Sequence, residues 1–222
     1  MEKVMSKSSK TTEKTIDLTQ YTNSEAAPQV DNVMFVQDAW QNFKNNYQFM
    51  KRTVWLLDDI AAETCNHIIS TLNFWIDMSK QPVYIYINSC GGDATIAEAI
   101  VDTIKALQAA GSKVYTIVTG SAYSAAAYIA LAGSKGCRWC YPHGRIMFHS
   151  ARYPFLTDMT ATDMQIYSNE IECTNQHLAQ LLKECTKLND KEIKTVLTKD
   201  SFYSAEEAKK LNIINEIGVI AL

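Results

Sequence analysis

The most constraining feature of this chain is an alternation of short apolar runs with segments of helical periodicity between residues 53 and 149. The run PVYIYIN is rich in β-branched and aromatic residues, which is typical of a buried strand. A helical segment, TIAEAIVDTIKALQAAG, follows it and ends at Gly111, and KVYTIV and RIMFH are further apolar runs. Strands that alternate with helical crossovers pair in parallel, so the sequence predicts an α/β fold with a mostly parallel sheet.

Further elements are predicted on both sides of this region. The segment AAETCNHIISTLNFWIDMSK carries its apolar residues on one helical face, and RTVWLLDD and NIINEIGVI are typical of short strands. A long helical pattern runs from Thr157 to Lys187. Asn189 with Glu192, and Ser204 with Glu207, predict two capping boxes at helix starts.

Composition limits the domain organisation and the classes of partner. The first residues are polar and lack periodicity, so we predict a flexible tail at 1–30 and a single domain at 31–222. A formal net charge of -3 argues against a nucleic-acid or anionic-membrane partner. No apolar stretch approaches the roughly 18 residues of a membrane span, and no apolar h-region marks a secretory signal. We therefore expect a cytoplasmic protein.

Six cysteines are present, and in a chain this well supplied with apolar residues they need not form disulfides. Cys137 and Cys140 form a single CxxC pattern. Because a structural zinc site needs a second cysteine pair or a matching histidine pair, we predict reduced thiols and no metal site.

Three polar or flexible features follow three of the predicted strands. Gly91 and Gly92 come directly after PVYIYIN, Ser124 follows KVYTIV, and His149 ends RIMFH. Ligands of open α/β sheets bind beyond the carboxyl ends of the strands, so these residues are expected at one edge of the sheet.

A serine beside a histidine can perform acyl transfer, because the imidazole takes the proton of an otherwise weak hydroxyl nucleophile. The backbone N–H groups of Gly92 and Ala125 could then stabilise an oxyanion. The residues alone leave other interpretations open: Ser124 as a helix cap, the glycines as a plain turn, and His149 as a structural residue. They also leave the orienting acid undecided between Asp200 and its acidic neighbours.

Three longer motifs resemble one known family, the proteolytic subunit of the Clp protease. They are YIYINSCGGD, GSAYSAAAYIALAGSKGCRWCYPHGRIMFHS and TKDSFYSAEEAKKLNIINEI. The resemblance covers roughly residues 47–220. It implies the Clp-protease or crotonase-like ββα superhelix, with a helix–strand handle protruding at about residues 150–187.

The resemblance also implies roles for individual residues. It assigns Ser124 as nucleophile, His149 as general base and Asp200 as the acid that orients the imidazole. The remaining implied site residues are Gly92 and Ala125 for the oxyanion hole, and Gly91, Ser150, Ala151 and Arg152 for binding the substrate.

The function implied is that of a self-compartmentalising serine endopeptidase acting on unfolded polypeptides. The subunit is expected in a heptamer or stacked heptamers, or in a hetero-oligomer with related subunits. It needs no cofactor, because ATP is used only by a partner AAA+ unfoldase. Two alternatives remain: a catalytically silent ring subunit of the family, and a crotonase-like protein that binds acyl-CoA.

Several positions depart from the family's pattern and indicate a divergent member. Cys90 stands where proline is usual, and Ser150 and Ala151 replace the usual Gln-Pro after the histidine. Thr198 and Lys199 replace an acidic–basic pair that helps rings contact each other. The sequence therefore does not decide between a single ring and a double ring.

Overall fold

A seven-stranded sheet lies at the centre of the computed structural model, which describes residues 41–42, 44–152 and 158–220. The described residues from 46 onward belong to one compact unit. In chain order the strands are β1 (Thr53–Leu56), β2 (Val83–Ser89), β3 (Val114–Tyr123), β4 (Arg138–Cys140), β5 (Arg145–Phe148), β6 (Ser201–Ser204) and β7 (Glu216–Ile217).

The sheet is mainly parallel, and β3 is its branching point. Strands β1, β2, β3, β4 and β7 follow one another in space with parallel pairing. The second half of the ten-residue β3 also pairs in parallel with β5, whereas β5 and β6 are antiparallel. This confirms the predicted α/β class with a mostly parallel sheet.

From β1 onward, the helices are α1 (Ala62–Met78), α2 (Ala94–Ala109), α3 (Ala125–Leu131), α4 (Ala161–Cys185), α5 (Asp190–Val196) and α6 (Ala205–Lys210). Their starts follow local sequence rules. The carboxylate of Asp93 accepts hydrogen bonds from the N–H groups of Thr95 and Ile96 at the start of α2. The predicted capping boxes at Asn189 and Ser204 are both present. Gly111 follows the last turn of α2 at φ 100°, which favours glycine.

The core lies between the sheet and the helices. The predicted face of α1 buries Cys65, Ile68, Leu72 and Trp75, and α3 is buried along almost its whole length because alanines let it approach the sheet closely. The helix that follows Ser124 is thus fixed by packing at every residue except the half-buried Tyr128.

Two of the strands were not predicted from the sequence, and a third strand was predicted to be longer than the one observed. Strands β4 and β6 have three and four residues, too few to show a periodic pattern. The strand expected in NIINEIGVI is limited to Glu216–Ile217. The long helix begins at Ala161, after a capping box between Thr160 and Asp163, and not at Thr157.

Parts of the predicted domain organisation fall outside the described residues. The tail predicted at 1–30 is one of them, and so are residues 153–157 of the predicted handle. The described part of that handle consists of α4 and of residues 150–152, which have no regular secondary structure.

Three further findings concern membrane spans, disulfides and metal sites. Within the described ranges, no helix is long and apolar enough to cross a membrane. All six cysteines are free thiols, with Cys137 and Cys140 buried. No group of three histidine, cysteine or acidic side chains in the described part of the chain could hold a metal ion.

Candidate active site

Ser124 occupies a sharp turn between β3 and α3. Its backbone has φ 54° and ψ -126°, a region that L-residues rarely adopt. Such strained residues persist where the surrounding structure holds them, and they concentrate at functional sites. A serine on a strained strand-to-helix turn presents its hydroxyl above the end of the sheet.

The pairing of β3 with β5 brings His149 to this serine. Tyr123 lies opposite Met147 in the parallel register, and the N–H of Ser124 donates to the carbonyl of Met147 at 2.9 Å. His149 follows directly after β5. Its Nε2 lies 2.6 Å from the Oγ of Ser124, within hydrogen-bonding distance.

The position of the Ser124 side chain answers the capping question that the sequence left open. Ser124 is the residue before α3, but its side chain makes no capping hydrogen bond. The hydroxyl pairs with His149 instead. The hydroxyl of Ser124 therefore joins the ends of two strands. It does not accept a hydrogen bond from the first N–H groups of α3.

The two glycines pack against the same turn. A Cβ on Gly91 would lie 2.6 Å from the carbonyl oxygen of Tyr123 and 2.8 Å from the Cβ of Ser124. A Cβ on Gly92 would overlap the backbone of Ile60, and both glycines have positive φ, at 103° and 145°. Only glycine fits at these two positions, because neighbouring backbone lies too close to leave room for any side chain.

The backbone N–H groups of Gly92 and Ala125 belong to the two turns that pack against each other at Ser124. Ala125 is the first residue of α3, so its N–H has no carbonyl in a preceding helical turn. Gly92 forms a parallel bridge with Ile60, held by hydrogen bonds from Ile60 N–H to Gly91 and from Asp93 N–H to Ile60, each 2.8 Å long. Because successive groups of an extended chain point to opposite sides, the N–H of Gly92 points away from Ile60.

Asp200 is brought to His149 by the antiparallel strand. Phe148 pairs with Ser201, so the residues just beyond that pair, His149 and Asp200, are neighbours. The Nδ1 of His149 lies 3.8 Å from the Oδ1 of Asp200, which is an ion-pair distance but too long for a hydrogen bond. His149 Nδ1 is buried and has no hydrogen-bond partner.

The same carboxylate oxygen binds Arg152. The Nη2 of Arg152 lies 2.5 Å from Asp200 Oδ1, and both side chains are about half exposed, at 60% and 49%. The main chain before Arg152 is anchored, because the N–H of Ala151 donates to Asn175 Oδ1 on α4 at 2.8 Å. Ser150 and Ala151 are half-buried at the edge of the site.

The imidazole is held toward its neutral form. Burial lowers the pKa of His149 below its usual value of 6.5, the positive charge of Arg152 lowers it further, and Asp200 opposes both effects. A neutral imidazole at neutral pH can accept the proton of Ser124.

The structure thus brings together Ser124, His149, Asp200 and the two glycines, as the resemblance implied, but with Asp200 bound first to Arg152. Sequence reasoning missed the contact between Arg152 and Asp200, which are 48 positions apart. No local pattern could reveal it, because it depends on the pairing of β5 with the unpredicted β6.

Replacing Gly92 with alanine tests the close approach of the glycine turn. We expect Gly92→Ala to lower the free energy of unfolding by about 2 kcal/mol or more, since its methyl group would overlap Ile60. Gly136→Ala is the matched control, because Gly136 has φ 84° but open space around the added methyl group. It should cost only the conformational penalty, about 1 kcal/mol. Equal losses in denaturant titrations would contradict the packing described.

The comparison with protein families agrees with this architecture. The family model described as Clp protease matches residues 37–220, which is most of the chain. The chain therefore belongs to the Clp protease family.

Proposed function

We propose that this member of the Clp protease family is a serine endopeptidase, with Ser124 as its nucleophile and His149 as its general base. Family membership supports a peptidase-like function. The observation that carries the finer proposal is the 2.6 Å contact between His149 Nε2 and Ser124 Oγ on a strained turn. A hydroxyl so close to a neutral imidazole can lose its proton as it attacks a carbonyl.

In the first step, Ser124 Oγ attacks a peptide carbonyl carbon while His149 Nε2 takes its proton. His149 then gives that proton to the leaving amine, and an acyl-enzyme remains on Ser124. In the second step, His149 removes a proton from water, which attacks the ester; the bond from Ser124 Oγ to the acyl carbon breaks, His149 returns the proton to Ser124 Oγ, and the new carboxyl end is released. The neutral state favoured by the lowered pKa of His149 is the one that both steps require.

The oxyanion of each tetrahedral intermediate would be held by the N–H groups of Gly92 and Ala125. Both belong to backbone that the fold fixes before substrate arrives, one by the bridge to Ile60 and the other by the buried helix α3. Such preorganised donors need no rearrangement during the reaction, and one of them is worth about a hundredfold to a thousandfold in rate.

Asp200 is proposed as the acid that orients His149 and stabilises the imidazolium. The antiparallel pairing of β5 with β6 supports this role, because it makes Asp200 the nearest carboxylate to Nδ1. Gly91 and the segment Ser150–Ala151–Arg152 border the site and are proposed to bind the substrate backbone. A strand-like mode of binding would accept many polypeptide sequences.

Labelling with a fluorophosphonate probe tests the nucleophile. We expect the probe to form a bond with Ser124, because phosphonylation needs the same activated hydroxyl as acylation. Intact-protein mass spectrometry should show one adduct per chain, and peptide mapping should place it on Ser124. Ser124→Ala should abolish the adduct.

The matched control for this experiment is Ser121→Ala, which removes another hydroxyl near the end of β3 but leaves the contact with His149 intact. It should label like the wild-type protein. If the assembled wild-type protein does not label, the protease proposal fails and the catalytically silent subunit is the better description. The engagement of Asp200 by Arg152 is the observation that favours this second candidate.

We further propose that the chain works as a subunit of a ring, either a heptamer or stacked heptamers, or a mixed ring with related subunits. Family members typically form oligomeric rings. The exposed apolar residues of α4 support this, since Met164, Ile166 and Tyr167 are 56%, 53% and 39% exposed. Such surface apolar groups on one helix segment are typical of contacts between chains.

Other parts of the proposal concern the chain's surroundings. The enzyme itself needs no cofactor, and ATP would be consumed only by a partner AAA+ unfoldase. A cytoplasmic location stays a prediction from the sequence. A crotonase-like protein would instead bind acyl-CoA without labelling at Ser124, so the probe experiment also separates that alternative.

Light scattering coupled to size exclusion tests the ring. We expect the wild-type protein to elute with the mass of seven or fourteen chains. Met164→Glu should reduce the mass, because it places a charge in the apolar contact of α4. Gln165→Glu is the control, since it adds the same charge to the next residue of α4, a polar side chain that donates an exposed hydrogen bond to Asn169. A monomeric wild-type protein would contradict the ring.

A further inference from the structure

Two groups compete for one oxygen atom next to the proposed base, His149. Arg152 Nη2 lies 2.5 Å from Asp200 Oδ1, and His149 Nδ1 lies 3.8 Å from the same atom. A bond between a guanidinium and a carboxylate carries full charges on both partners, whereas a neutral imidazole offers only an N–H dipole. The arginine therefore holds the carboxylate, and the histidine is left without it.

The consequence is visible at His149. Its Nδ1 is buried and has no hydrogen-bond partner, although the Asp200 carboxylate, which could accept a hydrogen bond from it, lies only 3.8 Å away. Buried polar atoms of side chains usually find a partner, so an orphan at this position needs an explanation. Arg152 supplies one, because it engages the oxygen that faces the ring.

The segments that carry Arg152 and Asp200 are both anchored to the rest of the protein. The preceding residue is tied to α4 by the 2.8 Å hydrogen bond from Ala151 N–H to Asn175 Oδ1. On the other side, β6 is fixed by its pairing with β5 and by the edge-to-face contact of Phe202 with Tyr123. The guanidinium and the carboxylate are therefore presented to each other by two anchored segments.

We propose that Arg152 is a positioning residue that controls the base His149 through Asp200, by withholding the Asp200 carboxylate from His149 Nδ1. This inference rests on the proposed function. It makes the triad incomplete in the structure as described, and it makes the guanidinium the group that must move for Asp200 to orient the imidazole. Among the described residues, Arg152 and Asp200 are the charged groups that act on the pKa of His149, and α3, behind Ser124, has only uncharged side chains.

The charge of Arg152 acts in the same direction as its geometry. Its positive charge lowers the pKa of His149, and Asp200 raises it. Removal of the arginine would have two separable effects on the imidazole, since it deletes a repelling charge and also frees the attracting carboxylate. The second effect depends on Asp200, whereas the first does not.

A cycle of variants separates these effects. We would measure the pKa of His149 by NMR in protein carrying ¹³C-labelled histidine, where the His149→Gln variant identifies its signal among the four histidines. The cycle compares wild type, Arg152→Gln, Asp200→Asn and the double variant. We expect Arg152→Gln to raise the pKa by about one unit or more when Asp200 is present. In the Asp200→Asn background the same change should raise it by about half as much or less.

Arg145→Gln is the matched control, because Arg145 is an exposed arginine at the start of β5, the strand that leads to His149, and its loss removes the same charge. It should leave the pKa of His149 unchanged within about 0.2 units, since a charge on the surface is screened by solvent. An equal rise in both Asp200 backgrounds would overturn the proposal, because Arg152 would then act as a distant charge. No rise in either background would overturn it as well.

The rate of probe labelling gives a second readout. At pH values above the raised pKa of His149, the Arg152→Gln variant should react with the probe about threefold to tenfold faster than wild type, because Asp200 can then orient the imidazole. This gain should vanish in the double variant. A slower reaction in Arg152→Gln would overturn the withholding role. The NMR titration needs no catalysis, so a protein that never labels contradicts the proposed function without deciding the role of Arg152.

Discussion

The site depends on the pairing of β3 with two different strands. The first half of β3 pairs with β4 and the second half with β5, and the last bond of this second pairing runs from Ser124 N–H to Met147 C=O. That bond fixes the backbone of the proposed nucleophile relative to the strand that ends at His149. Because both residues lie just past the carboxyl ends of parallel strands, the 2.6 Å contact between them follows from the sheet itself.

A second constraint is the lack of space around the Ser124 turn. Gly91 lies against Tyr123 and Ser124, Gly92 lies against Ile60, and α3 is packed through its alanines. These contacts hold Ser124 in a backbone conformation that it would not adopt alone. The same contacts hold the backbone of Gly92 and Ala125, whose N–H groups are the proposed oxyanion donors. In the proposed mechanism, the packing that stores strain in the turn therefore also preorganises the donors that an oxyanion needs.

The sequence predicted the parts of the site that depend on periodic elements. The runs around β2, β3 and β5 placed Gly91, Gly92, Ser124 and His149 at strand ends, and the structure has them together. Asp200 could not be selected among the nearby acids from the residues alone, because its partner strand β6 is four residues long and pairs antiparallel. The contact with Arg152 was equally hidden. Such contacts depend on tertiary pairing, which no local pattern encodes.

The central claim is that the Ser124 turn, the glycine turn and His149 form one preorganised site for acyl transfer. The most direct test is a crystal structure of the protein with a peptide boronic acid, which forms a tetrahedral adduct with an activated serine. The account predicts a bond from Ser124 Oγ to boron, and one boronate oxygen within about 3 Å of the nitrogens of both Gly92 and Ala125. A boronate oxygen directed away from both N–H groups, or an adduct on another residue, would contradict it.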